Sequence, residues 1–149
     1  MKGKRKVFGW LSCLAVFLSA LWLCACSYAA RESDFSLILA VDEAQISAGE
    51  VTARATFRNL TAQTMKIVGT REAGEEMICI YCLPAGGEAD EAGVSVAVES
   101  FLSGKAEFMR ERTFSGLEPG EYEVFASVSF SQGGRFLRFT TERVGVAVP

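Results

Sequence analysis

The stretch Cys79-Ile80-Tyr81-Cys82 sets two thiols three positions apart. Three chemistries fit that spacing. A redox pair needs its first cysteine exposed at a helix N-terminus, where the dipole lowers the thiol pKa. A zinc site would lack two of its four ligands. A disulfide needs α-carbons within about 7 Å, whereas positions i and i+3 of an extended strand lie about 10 Å apart on opposite faces. Leu83, Pro84, Ala85 and then two glycines follow, so nothing after Cys82 reads as a helix. The expectation is two unpaired, mostly buried thiols that pack as small apolar side chains. A disulfide across a bulge or turn is the alternative, with redox catalysis and metal binding behind it.

Other candidate chemistry is sparser. The chain has no histidine, which removes the commonest general base and the commonest zinc ligand. The loop Pro84–Gly93 holds Glu88, Asp90 and Glu91. Calcium favours several oxygens, but this spacing matches no EF-hand loop, so these carboxylates read as solvated charge. Glu75-Glu76 reads as surface charge. Asn59-Leu60-Thr61 is formally a glycosylation sequon and reads here as a turn. No serine, cysteine or lysine pairs with a base through sequence alone. The residues point to a non-catalytic protein with no cofactor and no metal.

The elements that position these residues are strands. FSLILAVD (35–42) opens the series, and EVTARATFRN (50–59) is the cleanest alternation. Val51, Ala53, Ala55 and Phe57 share one face, Thr52, Arg54, Thr56 and Arg58 the other, a period of two that buries one face and wets the other. TMKIVG (64–69), EMICIYCL (76–83), VSVAVESFL (94–102) and AEFMRERTF (106–114) follow. In SGLEPGEYEVFASVSF (115–130), Tyr122, Val124, Ala126, Val128 and Phe130 form the inner face. Ser131-Gln132-Gly133-Gly134 is a hairpin turn, and RFLRFTTERVGVAV (135–148) returns. The apolar parity of that last run switches between Phe139 and Val144, which predicts a bulge near Thr141 or Glu142. About eight short strands without a helical period predict an all-β antiparallel sandwich. Phe125 is out of phase with that inner face and is expected to point outward. If it shares an outer face with the doubly apolar Met77–Leu83 or the cluster Phe136, Leu137 and Phe139, these side chains form a partner-binding patch; the favoured alternative is that the tether or a neighbouring loop covers them.

The pattern Leu117-x-Pro119-Gly120-x-Tyr122 resembles the corner into the penultimate strand of immunoglobulin-like and prealbumin-like domains on bacterial surfaces. Val51–Thr61 is similar to their second strand. The resemblance implies an immunoglobulin-like sandwich of 7–8 strands, in which Pro119 and Gly120 set the turn, Leu117 plugs the core and the Tyr122 hydroxyl caps backbone. Both tryptophans, Trp10 and Trp22, precede the domain, so the buried Trp and paired cysteines of antibody domains are absent. Surface domains of the collagen-adhesin type can carry a Lys–Asn isopeptide bond between first and last strands. FSLILAVD has no lysine and Asn59 is the only asparagine, which argues against that crosslink.

Residues 1–25 have the layout of a signal peptide. Lys2, Lys4, Arg5 and Lys6 lead an uncharged apolar run, Val7–Leu23. Leu23-Cys24-Ala25-Cys26 resembles the bacterial lipobox, an aliphatic and two small residues before the cysteine that is lipidated. The resemblance implies diacylglycerol on the Cys26 sulfur, cleavage before it, and a place on the extracytoplasmic face of a bacterial membrane. Each buried methylene contributes about 0.8 kcal/mol, and stable anchoring takes more than one acyl chain. The competing readings are an uncleaved apolar anchor and cleavage near Ser27-Tyr28-Ala29 that releases a secreted protein. The expected organisation is a leader (1–25), a lipidated cysteine with a short tether (26–34) and one domain (35–149).

Four of the 15 basic residues and none of the 18 acidic ones lie in the leader, leaving 11 against 18 and a net charge of −7. That charge argues against nucleic acid as a partner and predicts a domain held off an anionic membrane. Nine of the 11 basic residues are arginine, which favours paired carboxylates. The functional expectation is a lipid-anchored, non-catalytic protein that binds an envelope or extracellular protein. The alternative is an inhibitor or chaperone-like module on an envelope enzyme, acting through the Pro84–Gly93 loop. A thiol-redox protein built on Cys79 and Cys82 is the third reading.

Overall fold

The structure, a computed structural model, describes residues 28–42, 46, 49–89 and 96–149. The leader, Cys26 and the tip of the 84–93 loop lie outside the described residues. The chain is all-β. A three-stranded antiparallel sheet, in the order β1 (Phe35–Asp42), β2 (Val51–Asn59) and β6 (Glu107–Phe114), packs on a six-stranded one. The larger sheet is built on β7 (Gly120–Gln132). Along one edge of β7 run β4 (Cys79–Pro84) and β3 (Met65–Gly69), with β5 (Val98–Leu102) outside β3; along the other run β8 (Arg135–Thr140) and β9 (Val144–Val148). Among the described residues no helix is long and apolar enough to cross a membrane.

Alternation explains most of this. Val51, Ala53, Ala55 and Phe57 are fully buried, while Thr52, Arg54, Thr56 and Arg58 line the outer face. The β7–β8 hairpin closes through Gly133 and Gly134 at φ 58° and 80°. Two consecutive left-handed residues are the type I′ geometry that matches strand twist, and glycine adopts it without strain. Three residues, 141–143, then face two, Phe125 and Ala126. That extra residue is the bulge that the parity switch predicts; it divides the last run into β8 and β9, and Thr141 bonds across the gap to Ala126 through both its N–H and its hydroxyl.

Elsewhere the strands are shorter than the runs. The run 76–83 enters through a short 3₁₀ turn (Glu75–Met77), so β4 starts only at Cys79. The described part of the run 94–102 pairs from Val98, and 115–119 is the corner before β7. The total is nine strands among the described residues rather than about eight.

The core has two halves. Phe35, Phe57, Phe130 and Phe139, from four strands, pack mutually with ring centroids 5.3 to 6.1 Å apart. The half nearer the start of β7 is filled by smaller side chains, among them Val51, Ala53, Val124, Val146 and Val148. The sandwich thus has two poles. The aromatic half ends at the pole formed by residues 28–34, 60–64, 103–106 and 132–135. The aliphatic half ends at the pole formed by the ends of β1, β4 and β6 and the start of β7.

One lateral opening is closed by arginine. Arg110 and Arg112 of β6 have the inward parity of Phe108 and Phe114, and besides an ion pair from Arg110 to Glu76 at 3.6 Å they bond to backbone. Arg110 Nη1 donates to the Ile78 carbonyl at 2.8 Å and Arg112 Nη1 to the Ile80 carbonyl at 3.0 Å. Inward-pointing charge that occupies a free strand edge blocks pairing with another chain.

Candidate functional site

The composition of Ser27–Ser33 predicts a tether, but from Tyr28 on the chain is docked. Ala30 is 1 % exposed. Its N–H donates to Gln132 Oε1 at 3.0 Å, and Gln132 Nε2 donates to the Tyr28 carbonyl at 2.7 Å. One side-chain amide so fixes two residues of the segment to the end of β7. The Tyr28 hydroxyl donates to Asp34, and the Arg31 N–H donates to the same carboxylate oxygen at 2.7 Å. The bond from Tyr28 holds the Asp34 carboxyl below its ordinary value and, by the same contact, raises the Tyr28 hydroxyl.

Asn59 locks the rest of this pole. It is buried, and its amide nitrogen donates to the carbonyls of Gln63 (3.0 Å) and Ser103 (2.9 Å). Its Oδ1 accepts from the N–H and hydroxyl of Thr61. Two loops distant in sequence are joined by one side chain, and the sequon is a turn whose asparagine faces inward. Gly104 is required next to it, because a Cβ there would meet the Ala62 carbonyl oxygen at 2.2 Å. Lys105 caps the Leu60 carbonyl.

At the opposite pole the structure brings the four corner residues together. Leu117 packs on the core and its N–H donates to Gly49 O at 3.1 Å. Pro119 is exposed, Gly120 starts β7, and the Tyr122 hydroxyl donates to the Glu118 carbonyl at 3.1 Å. Arg143 Nη1 bridges Gly87 O (3.0 Å) and Glu123 (2.6 Å) beside them, and holds the Glu123 carboxyl below its ordinary value. Asp42, Glu50, Glu88, Glu118 and Glu121 occupy this pole. Arg143, bonded to Glu123, is the base beside them.

Cys79 and Cys82 are both free. Cys82 packs against the core beside Ile80 and Ile78, so strand alternation places Cys79 on the outer face with Tyr81. Burial pushes the Cys82 thiol up, the opposite of what a nucleophilic thiol needs.

Around Phe125 no apolar patch is assembled, although its cover is neither the tether nor a loop. Phe125 does point outward, but it is only 5 % exposed, stacked on Tyr81 at 5.0 Å and covered by the Arg143 guanidinium at 4.7 Å. Leu137 and Phe139 turn into the core, which leaves Phe136 exposed without them. The out-of-phase position was legible; the two side chains that roof it come from β4 and from the bulge, and only tertiary structure supplies them.

A different face is exposed and ordered in rows. On the outer side of the three-stranded sheet, Arg58 pairs with Glu107 and Arg54 with Glu111, both at 2.6 Å. Between them lies the row Ile38–Thr56–Met109, with Ile38 54 % and Met109 49 % exposed. Beyond the second ion pair the Thr52 and Thr113 hydroxyls bond at 2.9 Å. Sequence reading missed this row because Met109 is out of phase only once Arg110 and Arg112 are known to point inward. The matching parity of Phe108 and Phe114 was the available signal.

Among the described residues no group of histidine, cysteine, aspartate or glutamate could hold a metal ion. No protein-family model matches the chain, and no curated protein matches it.

Proposed function

We propose that this chain is a non-catalytic lipoprotein, attached through Cys26 to the outer face of a bacterial membrane, whose immunoglobulin-like sandwich binds another envelope or extracellular protein. The strand order supports the immunoglobulin-like part. Strands 1, 2 and 6 face a sheet whose centre is the penultimate long strand, with β8 and β9 as one broken last strand, and the tyrosine hydroxyl at its corner bonds back to nearby backbone. The observation that carries the binding reading is the Ile38–Thr56–Met109 row, two exposed apolar side chains flanking a threonine and set between two ion pairs on the outer sheet face. Aliphatic and thioether side chains framed by Arg and Glu offer a partner both burial and orientation.

Two measurements test it. Labelled palmitate enters the wild-type chain and not Cys26→Ala; equal labelling of both defeats the anchor. A photo-crosslinker placed at Ile38 or Met109 in intact cells gives a discrete protein adduct that one placed at Thr140, on the other sheet, does not. Equal patterns defeat the binding face.

The inhibitor or chaperone-like reading has its own support. The base of the 84–93 loop is braced by Gly87 N to Pro84 O (2.8 Å), Ala85 N to Glu121 O (2.9 Å) and Arg143 to Gly87 O. Deleting the loop would abolish inhibition of an envelope enzyme and leave binding through the sheet face intact.

A further inference from the structure

We infer that the pole carrying Tyr28, Leu60, Phe101 and Phe136 rests on the lipid bilayer, so that the sandwich stands upright on the membrane with its acidic pole outward. The inference builds on the Cys26 anchor proposed above and adds an orientation and a second contact.

Chain length is the first argument. Two residue steps separate Cys26 from Tyr28, and an extended chain covers at most about 3.5 Å per residue. Whatever the conformation of Cys26 and Ser27, the Tyr28 α-carbon lies within about 7 Å of the lipidated residue's α-carbon. Tyr28 is itself bonded to Gln132 and Asp34, so no slack remains between anchor and domain.

Surface chemistry is the second. Of the eight large apolar residues exposed among the described residues, Tyr28, Leu60, Phe101 and Phe136 lie at this one pole. Phe101 is 68 % and Phe136 63 % exposed. Each sits within two positions of a strand end there. Aromatic and leucine side chains partition into the boundary between headgroups and acyl chains.

Charge is the third. The loops of this pole carry Arg31, Lys105 and Arg135 against Glu32 and Asp34, and Asp34 is already bonded to Tyr28. The other pole carries Asp42, Glu50, Glu88, Glu118 and Glu121, and the arginine beside them, Arg143, is already bonded to Glu123. The net charge of −7 is therefore unevenly spread, and an anionic surface turns the acidic end away. The same charge that predicts a domain held off the membrane acts here as an orienting torque.

The leader holds the chain's only tryptophans, Trp10 and Trp22, which makes a direct test available. In a full-length chain carrying Trp10→Phe and Trp22→Phe, a single tryptophan is introduced as Phe136→Trp, Phe101→Trp or, at the acidic pole, Ser115→Trp. Each protein is extracted from cell membranes and reconstituted into phosphatidylethanolamine–phosphatidylglycerol vesicles with brominated acyl chains. At positions 136 and 101 the emission shifts to the blue and falls by about half, as expected for side chains buried some 5–10 Å into the interface. At position 115, a strand length of roughly 30 Å away, nothing changes. Protein that floats with the vesicles and shows no quenching at any position, or shows it at 115 instead, overturns this inference and leaves the anchor standing. Protein that does not float overturns the anchor and this inference with it.

Discussion

The two poles of the sandwich are built by different means. The pole at which the chain enters is closed by side chains that bond to backbone, Asn59 and Gln132 above all, over a core of four phenylalanines. The opposite pole is closed by a proline–glycine corner, one tyrosine hydroxyl and one arginine bridge over smaller aliphatic groups. The difference teaches where the fold's stability is concentrated. Large rings in mutual contact and a fully satisfied buried amide lie at the pole where the chain enters, while charge and loops face the other way.

Truncation of the core tests that contrast most strongly. Phe57→Ala removes a ring that touches three others and costs about 4 kcal/mol. Val124→Ala, buried in the aliphatic half, costs about 2 kcal/mol. Denaturant melts of both variants check the ratio, and equal losses would mean that the two halves do not differ.

The hydrogen bonds give the next largest effect. Asn59→Ala strands two loop carbonyls and the Thr61 donors, for a loss of about 2–3 kcal/mol. Tyr122→Phe removes one exposed bond to Glu118 and costs about 1 kcal/mol or less. Near-equal midpoints for these two variants would contradict a locked entry pole and a lightly held exit pole. Gln132→Ala falls between them, and its mark is local: the Ala30 amide exchanges faster while the core strands keep their protection.

What was legible in the sequence follows the same division. Alternation places every inner residue of β2 and β7, and the parity switch between Phe139 and Val144 locates the bulge within residues 141–143. Both signals are local, because strand period and turn chemistry act over a few positions. The Asn59 bridge to Ser103, the Gln132 clamp on residues 28–30 and the Arg112 bond to Ile80 join positions 32 to 104 residues apart. No period encodes such pairings. The same limit holds at Phe125: its parity sets it outside the core, but its cover by Tyr81 and Arg143 depends on which strands neighbour β7.

The smallest effect separates the poles by acid. Asp34 at the entry pole and Glu123 near the exit pole both have carboxyls held below their ordinary values, Asp34 first by the Tyr28 hydroxyl and Glu123 first by Arg143. A depressed carboxyl pKa in the folded state stabilises above the unfolded value, and that contribution is lost as pH falls through the folded value. The two losses therefore begin below the ordinary values of 3.8 for Asp34 and 4.5 for Glu123. Both groups are partly exposed, so solvent screens the pairs and the change in overall stability is slight. Side-chain carboxyl shifts followed by NMR resolve it. Tyr28→Phe moves Asp34 upward and leaves Glu123 in place, whereas Arg143→Gln does the reverse. Because each contact serves only its own end of the sandwich, a variant that moved both titrations would show the poles to be coupled through the core.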